Sequence, residues 1–164
     1  MKKTLSLSHS LSHSLTLAAG AVALAASAGF AQAQSYGADI NAETARKVAA
    51  ATIAECKKNN WRVAVAVVDT HGTMVHFEKV DDTQIASVQI AITKAQAAAT
   101  FRRPTRVFMD VINKTPATGT LPGVIGSPGG VPIEVGGKII GAVGVSGVTG
   151  DQDEQCAKAG VAAQ

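Results

Sequence analysis

The sequence predicts an α/β domain in which helices flank a mainly antiparallel sheet. Three observations carry this. Two pairs of short β-branched runs are each joined by a glycine-bearing turn, at 70–73 and at Gly136-Gly137, and such a turn between apolar runs makes an antiparallel hairpin. Apolar or small residues recur at helical spacing over 41–58, from Ile85 to Ala99, and after Asp151. Aromatic residues make up only 4% of the chain, so the core has to be built from Val, Ile and Ala, which favours sheets and close helix packing.

Residues 1–33 are set aside first. Lys2 and Lys3 give a basic start, Leu11 to Ala28 is apolar and small, and Ala31-Gln32-Ala33 has the small residues of a cleavage site. That is the form of a secretory leader, and it implies a periplasmic or secreted product with no membrane attachment after cleavage. No twin-arginine pair is present in it and no cysteine follows it, so neither the twin-arginine route nor a lipid anchor is expected. The remaining 34–164 is one domain in length. Without Lys2 and Lys3 it carries 13 basic and 12 acidic residues, a near balance that removes the case for nucleic-acid binding.

Taken in order, 41–58 reads as a helix with Asn41 at its cap and Ala45, Val48, Thr52 and Cys56 on one face. The run 61–69 reads as a strand apolar on both faces, hence central. After the turn at His71-Gly72, 74–79 pairs back with it. Asp81-Asp82-Thr83 is expected to cap a helix that buries Ile85, Val88, Ile92, Ala95 and Ala99 and stops at Pro104. Thr105 can cap a short helix to Val111 or Asn113, and 114–130, rich in Thr, Pro and Gly, reads as an irregular loop. Strands at 131–135 and 139–146 follow. A last helix is capped by Asp151, with Cys156, Ala159, Gly160 and Ala163 on one face. This order suggests a sandwich of the profilin or PAS-like kind.

The placed segments carry a resemblance. Val65-Ala-Val-Val-Asp69 with the His71-Gly72 turn, Ala86-Ser87, Lys94-Ala95, Ala97-Ala-Ala99, Phe101-Arg-Arg-Pro-Thr105, Pro128-Gly-Gly-Val-Pro-Ile133, Gly141-Ala-Val-Gly-Val-Ser-Gly147 and Asp151-Gln-Asp-Glu154 together resemble the GlcG/HbpS family, also called haem-degrading or DUF336 domains. They run in order over nearly all of 34–164. The resemblance implies a profilin-like domain, assembly into homo-oligomers of up to eight chains, and haem as ligand, with haem breakdown or iron handling in some members. Related domains are joined to corrinoid enzymes or neighbour glycolate-oxidation proteins, so the fold alone does not fix the ligand; a non-catalytic carrier or sensor of a small carboxylate or a corrinoid is the alternative, motivated by the Arg102/Arg103 cluster and the Gly-rich loop at 126–130. The implied fold also lays its first and last helices side by side, where Cys56 and Cys156 either bond or stay as two buried thiols.

Candidate ligand groups are few. His71, in a turn, and His76, in a strand, can each offer a neutral imidazole to haem iron, or be a solvated turn residue and a sheet-surface residue. Neither has zinc-site spacing, and no metal site is expected. Arg102 and Arg103, with Lys94 two helical turns upstream, can hold propionates or other carboxylates, or be a solvated helix end. Thr105 falls where the resemblance places the ligand pocket, and it can equally be a helix cap. The Gly126–Gly130 loop can present N–H groups to an anion or simply turn. Glu78, Asp81 and Asp82 lack calcium-loop spacing. Ser127 and Ser146 have no visible His-Asp partners, so nucleophilic catalysis is unsupported. Whether the chain turns over a substrate stays open, since no oxygen-activating group stands out.

Overall fold

The computed structural model describes residues 34–164; the leader expected over 1–33 lies outside the described residues. Ten elements follow one another: β1 (Ser35–Tyr36), α1 (Ala42–Lys58), β2 (Ala64–Val68), β3 (Met74–Lys79), α2 (Ala86–Phe101), α3 (Thr105–Lys114), a 3-10 turn (Pro116–Thr120), β4 (Gly130–Val135), β5 (Lys138–Ser146) and α4 (Gly150–Val161). The sheet is mainly antiparallel and flanked by helices, as the sequence predicts. β5 is its hub. β2 and β4 both pair with β5 antiparallel, and β3 pairs antiparallel with β2. The unforeseen β1 joins the first residues of β5 in parallel, Ser35 opposite Lys138.

The two sheet faces are built from different material. Val63, Val65 and Val67 face Ile40, Val48, Ile53, Val143 and Val145 in a core under α1 and α4. Cys56 of α1 and Cys156 of α4 are joined by a disulfide inside that core, with Cα atoms 5.6 Å apart. On the other face Ala64, Ala66, Val68 and Ala142 meet Ala91, Ala95, Ala98 and Ala99 of α2. This layer is thin because the backbones nearly touch. A Cβ on Gly144 of β5 would lie 2.1 Å from the Ala91 carbonyl oxygen and 2.4 Å from the Ala95 nitrogen.

Several expected details shift. The strand placed at 61–69 pairs only over Ala64–Val68. Asp81, Asp82 and Thr83 do not cap α2: the Thr83 hydroxyl turns back to the Val80 carbonyl at 2.7 Å, and the helix begins at Ala86 without a side-chain cap. Its buried residues are Ser87, Ala91, Lys94, Ala95, Ala97, Ala98 and Ala99, so the expected Ala95 and Ala99 are buried while Ile85 is 93% exposed. Small residues dominate that face because the helix backbone lies close to the strands, and the expected Val88 and Ile92 are only partly buried. Thr149, not Asp151, caps α4, in a reciprocal capping box with Gln152. Pro104, not Thr105, occupies the cap position of α3. Among the described residues no helix is long and apolar enough to cross a membrane.

Candidate functional site

A groove of about 240 Å³ opens beside α2, between the β2–β3 turn and the segment after the 3-10 turn. Its walls are His71 and Gly72 from the turn, Thr93, Gln96, Ala97 and Thr100 from α2, and Gly123. The turn forms because Asp69 Oδ1 accepts from the His71 and Thr73 backbone N–H groups at 2.8 and 2.9 Å, an Asx-type closure. Gly72 then takes φ +80°, open to glycine at little cost. Gln96 Nε2 donates to the Gly72 carbonyl at 3.1 Å and fixes the turn to α2.

The His71 ring is exposed, with Nδ1 3.2 Å from the Thr70 hydroxyl and 3.7 Å from Asp39 Oδ1. The Thr70 backbone N–H and hydroxyl both donate to Asp39 Oδ1. The Thr70 hydroxyl first, and then its N–H, hold the Asp39 carboxyl below its ordinary value. Ligand atoms of Asp39, Asp69 and His71 lie within 4.8 Å of one another, but both carboxylates already serve the turn's own donors. The arrangement places Nδ1 beside the Thr70 hydroxyl and, among the described residues, gives Nε2 no hydrogen-bond partner. This resembles the way a partner on one ring nitrogen orients a histidine to ligate through the other.

Arg102 and Arg103 lie just past Thr100, at the C-terminal end of α2. Arg102 is left-handed, φ +55°, donates from Nη1 to the Gln34 carbonyl at 2.8 Å and stacks 5.4 Å from the Tyr36 ring centre. Tyr36 in turn donates to the Ala99 and Thr100 carbonyls at 3.0 and 3.1 Å. Arg103 is exposed and donates from Nε to the Phe101 carbonyl at 3.1 Å. Both arginines thus follow Thr100, a residue of the groove wall, within three positions of the chain, and neither lines the groove itself.

The other expected ligand residues are placed elsewhere. Thr105 is fully buried, and its hydroxyl oxygen accepts from the Gly130 N–H at 3.0 Å. Lys94, expected as an accessible cation near the arginines, is 1% exposed and bonds Asp153. Burial pushes its ammonium below the usual lysine value, against the pull of Asp153; burial pushes the Asp153 carboxyl up, against the pull of Lys94. His76 is half-buried and pairs across the strands with Val67, so it faces the α1 side, away from the groove. A bulge between Val67 and Val68 turns Val75 to that side too, correcting the expected alternation. The third arginine of the cluster, Arg106, is held by Asp151 and Glu154. Thr93, Gln96 and Thr100 were not singled out from sequence, yet their spacing of three and four marks a polar stripe on an otherwise alanine-rich helix.

Comparison with known proteins decides the family. A family model described as haem degrading protein HbpS-like matches residues 40–162. The chain belongs to that family. Protein GlcG of Escherichia coli K12 is 41% identical over 108 residues, covering 65% of this chain and 81% of that protein. A variant of HbpS from Streptomyces reticuli is 31% identical with a TM-score of 0.72, over 78% of this chain and 88% of that one. PduOC, solved as a haem complex, is 24% identical with a TM-score of 0.70, over 77% and 95% of the two chains; at that identity the likeness speaks for the fold. The HbpS-like assignment links this chain to a haem-related family.

The residues of the groove fit haem in kind. Gly72, Ala97 and Gly123 put little or no side chain into the groove, Thr93, Gln96 and Thr100 line it with polar groups, and His71 brings an imidazole, a side chain of the kind that ligates haem iron. The volume lies below the roughly 300–1,000 Å³ of sites that enclose a drug-sized ligand.

Proposed function

We propose that this chain is an exported haem-binding protein whose site is the groove beside α2. The observation that carries the proposal is the His71 imidazole, set at the groove rim with Nδ1 facing the Thr70 hydroxyl. In this reading His71 Nε2 ligates the iron, Gly72, Ala97 and Gly123 receive the ring edge, and Arg102 and Arg103 pair with the propionates. Bound haem supplies the redox-active iron; the chain supplies ligand, floor and cations. Export is supported by the leader-like composition of 1–33 and by the Cys56–Cys156 bond, which suits an oxidising compartment. Assembly of several copies is supported by a groove too small to cover haem alone. Breakdown of the bound haem is the further step that the family description suggests.

Hemin titration of the protein tests this. A saturable Soret band is expected, lost in His71→Ala and weakened in Arg103→Ala. Parent-like binding by His71→Ala, with loss in Thr105→Ala or His76→Ala, would move the site to the α3 junction or to β3. Thermal stabilisation by small carboxylates or corrinoids, and none by hemin, would favour the carrier reading. Loss of the Soret band with a reductant under air would establish turnover, and an unchanged spectrum would exclude it under those conditions.

A further inference from the structure

A lysine buried to 1% on a helix that otherwise meets the sheet through alanines needs a reason. Lys94 Nζ donates to Asp153 Oδ2 at 2.7 Å and to the Val145 carbonyl at 3.0 Å. Asp153 Oδ1 accepts from the Val148 N–H at 3.2 Å. Lys94 belongs to α2 on one sheet face, and Asp153 to the first turn of α4 on the other. The pair therefore links the two helix layers at the end of β5. Stability alone is a poor reason for it, because buried ion pairs can often be replaced by packed apolar residues at no loss.

The pair's surroundings suggest another role. Gly129, at φ +124°, rests on it: a Cβ there would lie 2.7 Å from the Val145 carbonyl oxygen, 2.8 Å from Asp153 Cβ and 3.0 Å from Lys94 Nζ. Gly130 presses on α2 in the same way, its absent Cβ 2.3 Å from the Lys94 carbonyl oxygen, while its N–H is held by Thr105. This glycine corner ends the segment that leaves α3, makes the 3-10 turn and carries Gly123 into the groove wall. On α2 itself, Thr93 and Ala97 line the groove on either side of Lys94 in sequence.

We infer that the buried Lys94–Asp153 pair is the positioning element of the groove, fixing the Gly129–Gly130 corner and through it the wall that carries Gly123, without touching the ligand. This rests on the groove being the haem site. The test compares Lys94→Met, Asp153→Asn and the apolar pair Lys94→Met/Asp153→Leu with the parent. Three readouts are taken: thermal midpoint without hemin, hemin affinity with Soret position, and amide hydrogen exchange across 121–130. The single variants should melt earlier and bind hemin about tenfold more weakly, the scale seen when outer-shell support of a metal ligand is removed. The apolar pair should regain the thermal midpoint, yet keep the weak binding, a displaced Soret band and faster exchange confined to 121–130. Parent-like hemin binding and exchange in a folded apolar pair would overturn the inference. If the apolar pair fails to fold, exchange in Asp153→Asn decides: protection of 121–130 equal to the parent's would overturn it. If the parent shows no Soret band, the haem reading falls, while the exchange measurement still decides whether the pair fixes the corner.

Discussion

The two faces of the sheet solve the same packing problem with opposite means. Under α1 and α4 the space is filled by branched side chains, and a covalent bond ties the helices together. Under α2 there is almost no space to fill, because alanines and Gly144 let the helix backbone rest on the strands. The first face can lose volume and settle. The second cannot accept volume at all. The groove belongs to the second face, and a helix held that rigidly is a suitable support for a site.

The comparison can be broken at its strongest point first. Removing the disulfide as Cys56→Ala/Cys156→Ala should cost up to about 4.7 kcal/mol in urea unfolding, the chain-entropy value for a loop near 100 residues, while hemin affinity stays unchanged. A matching loss of hemin binding would show that the two faces are not independent. Next, Gly144→Ala should cost about 3 kcal/mol, at the upper end of overpacking effects, because the added methyl would meet backbone atoms of α2 rather than a flexible side chain. A neutral result would mean that α2 can lift, against the rigid-face view. Ile133→Val, a deletion within the fully buried α1/α4 core, should cost only about 1 kcal/mol; calorimetry would check it.

The smallest effect is with pH. The Asp39 carboxyl is held below its ordinary 3.8 by the Thr70 hydroxyl and N–H, and Glu55 below 4.5 by Gln155 and Lys58. A depressed folded-state value means that the contribution is complete above these ordinary values and is lost as pH falls through the lower ones. Between pH 7 and pH 3 the parent's melting midpoint should therefore fall slightly more than that of Asp39→Asn. An equal fall would remove Asp39 from the account.

Much of the fold was legible because its signals are local. Hairpin turns at Gly72 and Gly136-Gly137, the Asn41 cap and the helical face Ala45, Val48, Thr52 and Cys56 all depend on neighbours in sequence. On α2 the expected Ala95 and Ala99 are buried but Ile85 is not, because hydrophobicity ranks Ile85 above Ala91 whereas backbone contact ranks them the other way. The ligand residues were harder. Arg102 and Arg103 were read from a charge cluster, but nothing local reveals that Arg106 is taken by α4, or that Lys94 crosses to Asp153, 59 residues away. His71 was visible as a turn residue. Its groove was not, because the opposite wall comes from Gly123, beyond two further helices.

The disulfide has a consequence for the integrity of the chain. It closes a ring from Cys56 to Cys156 that contains every residue lining the groove. Residues 115–123 are mostly exposed and lie within that ring, where a protease would cut most readily. A chain nicked there would still be one molecule of nearly unchanged mass, its two fragments parting only after both reduction and unfolding. Proteolytic damage would then stay hidden on a non-reducing gel, and the halves of the groove would remain tethered at high local concentration.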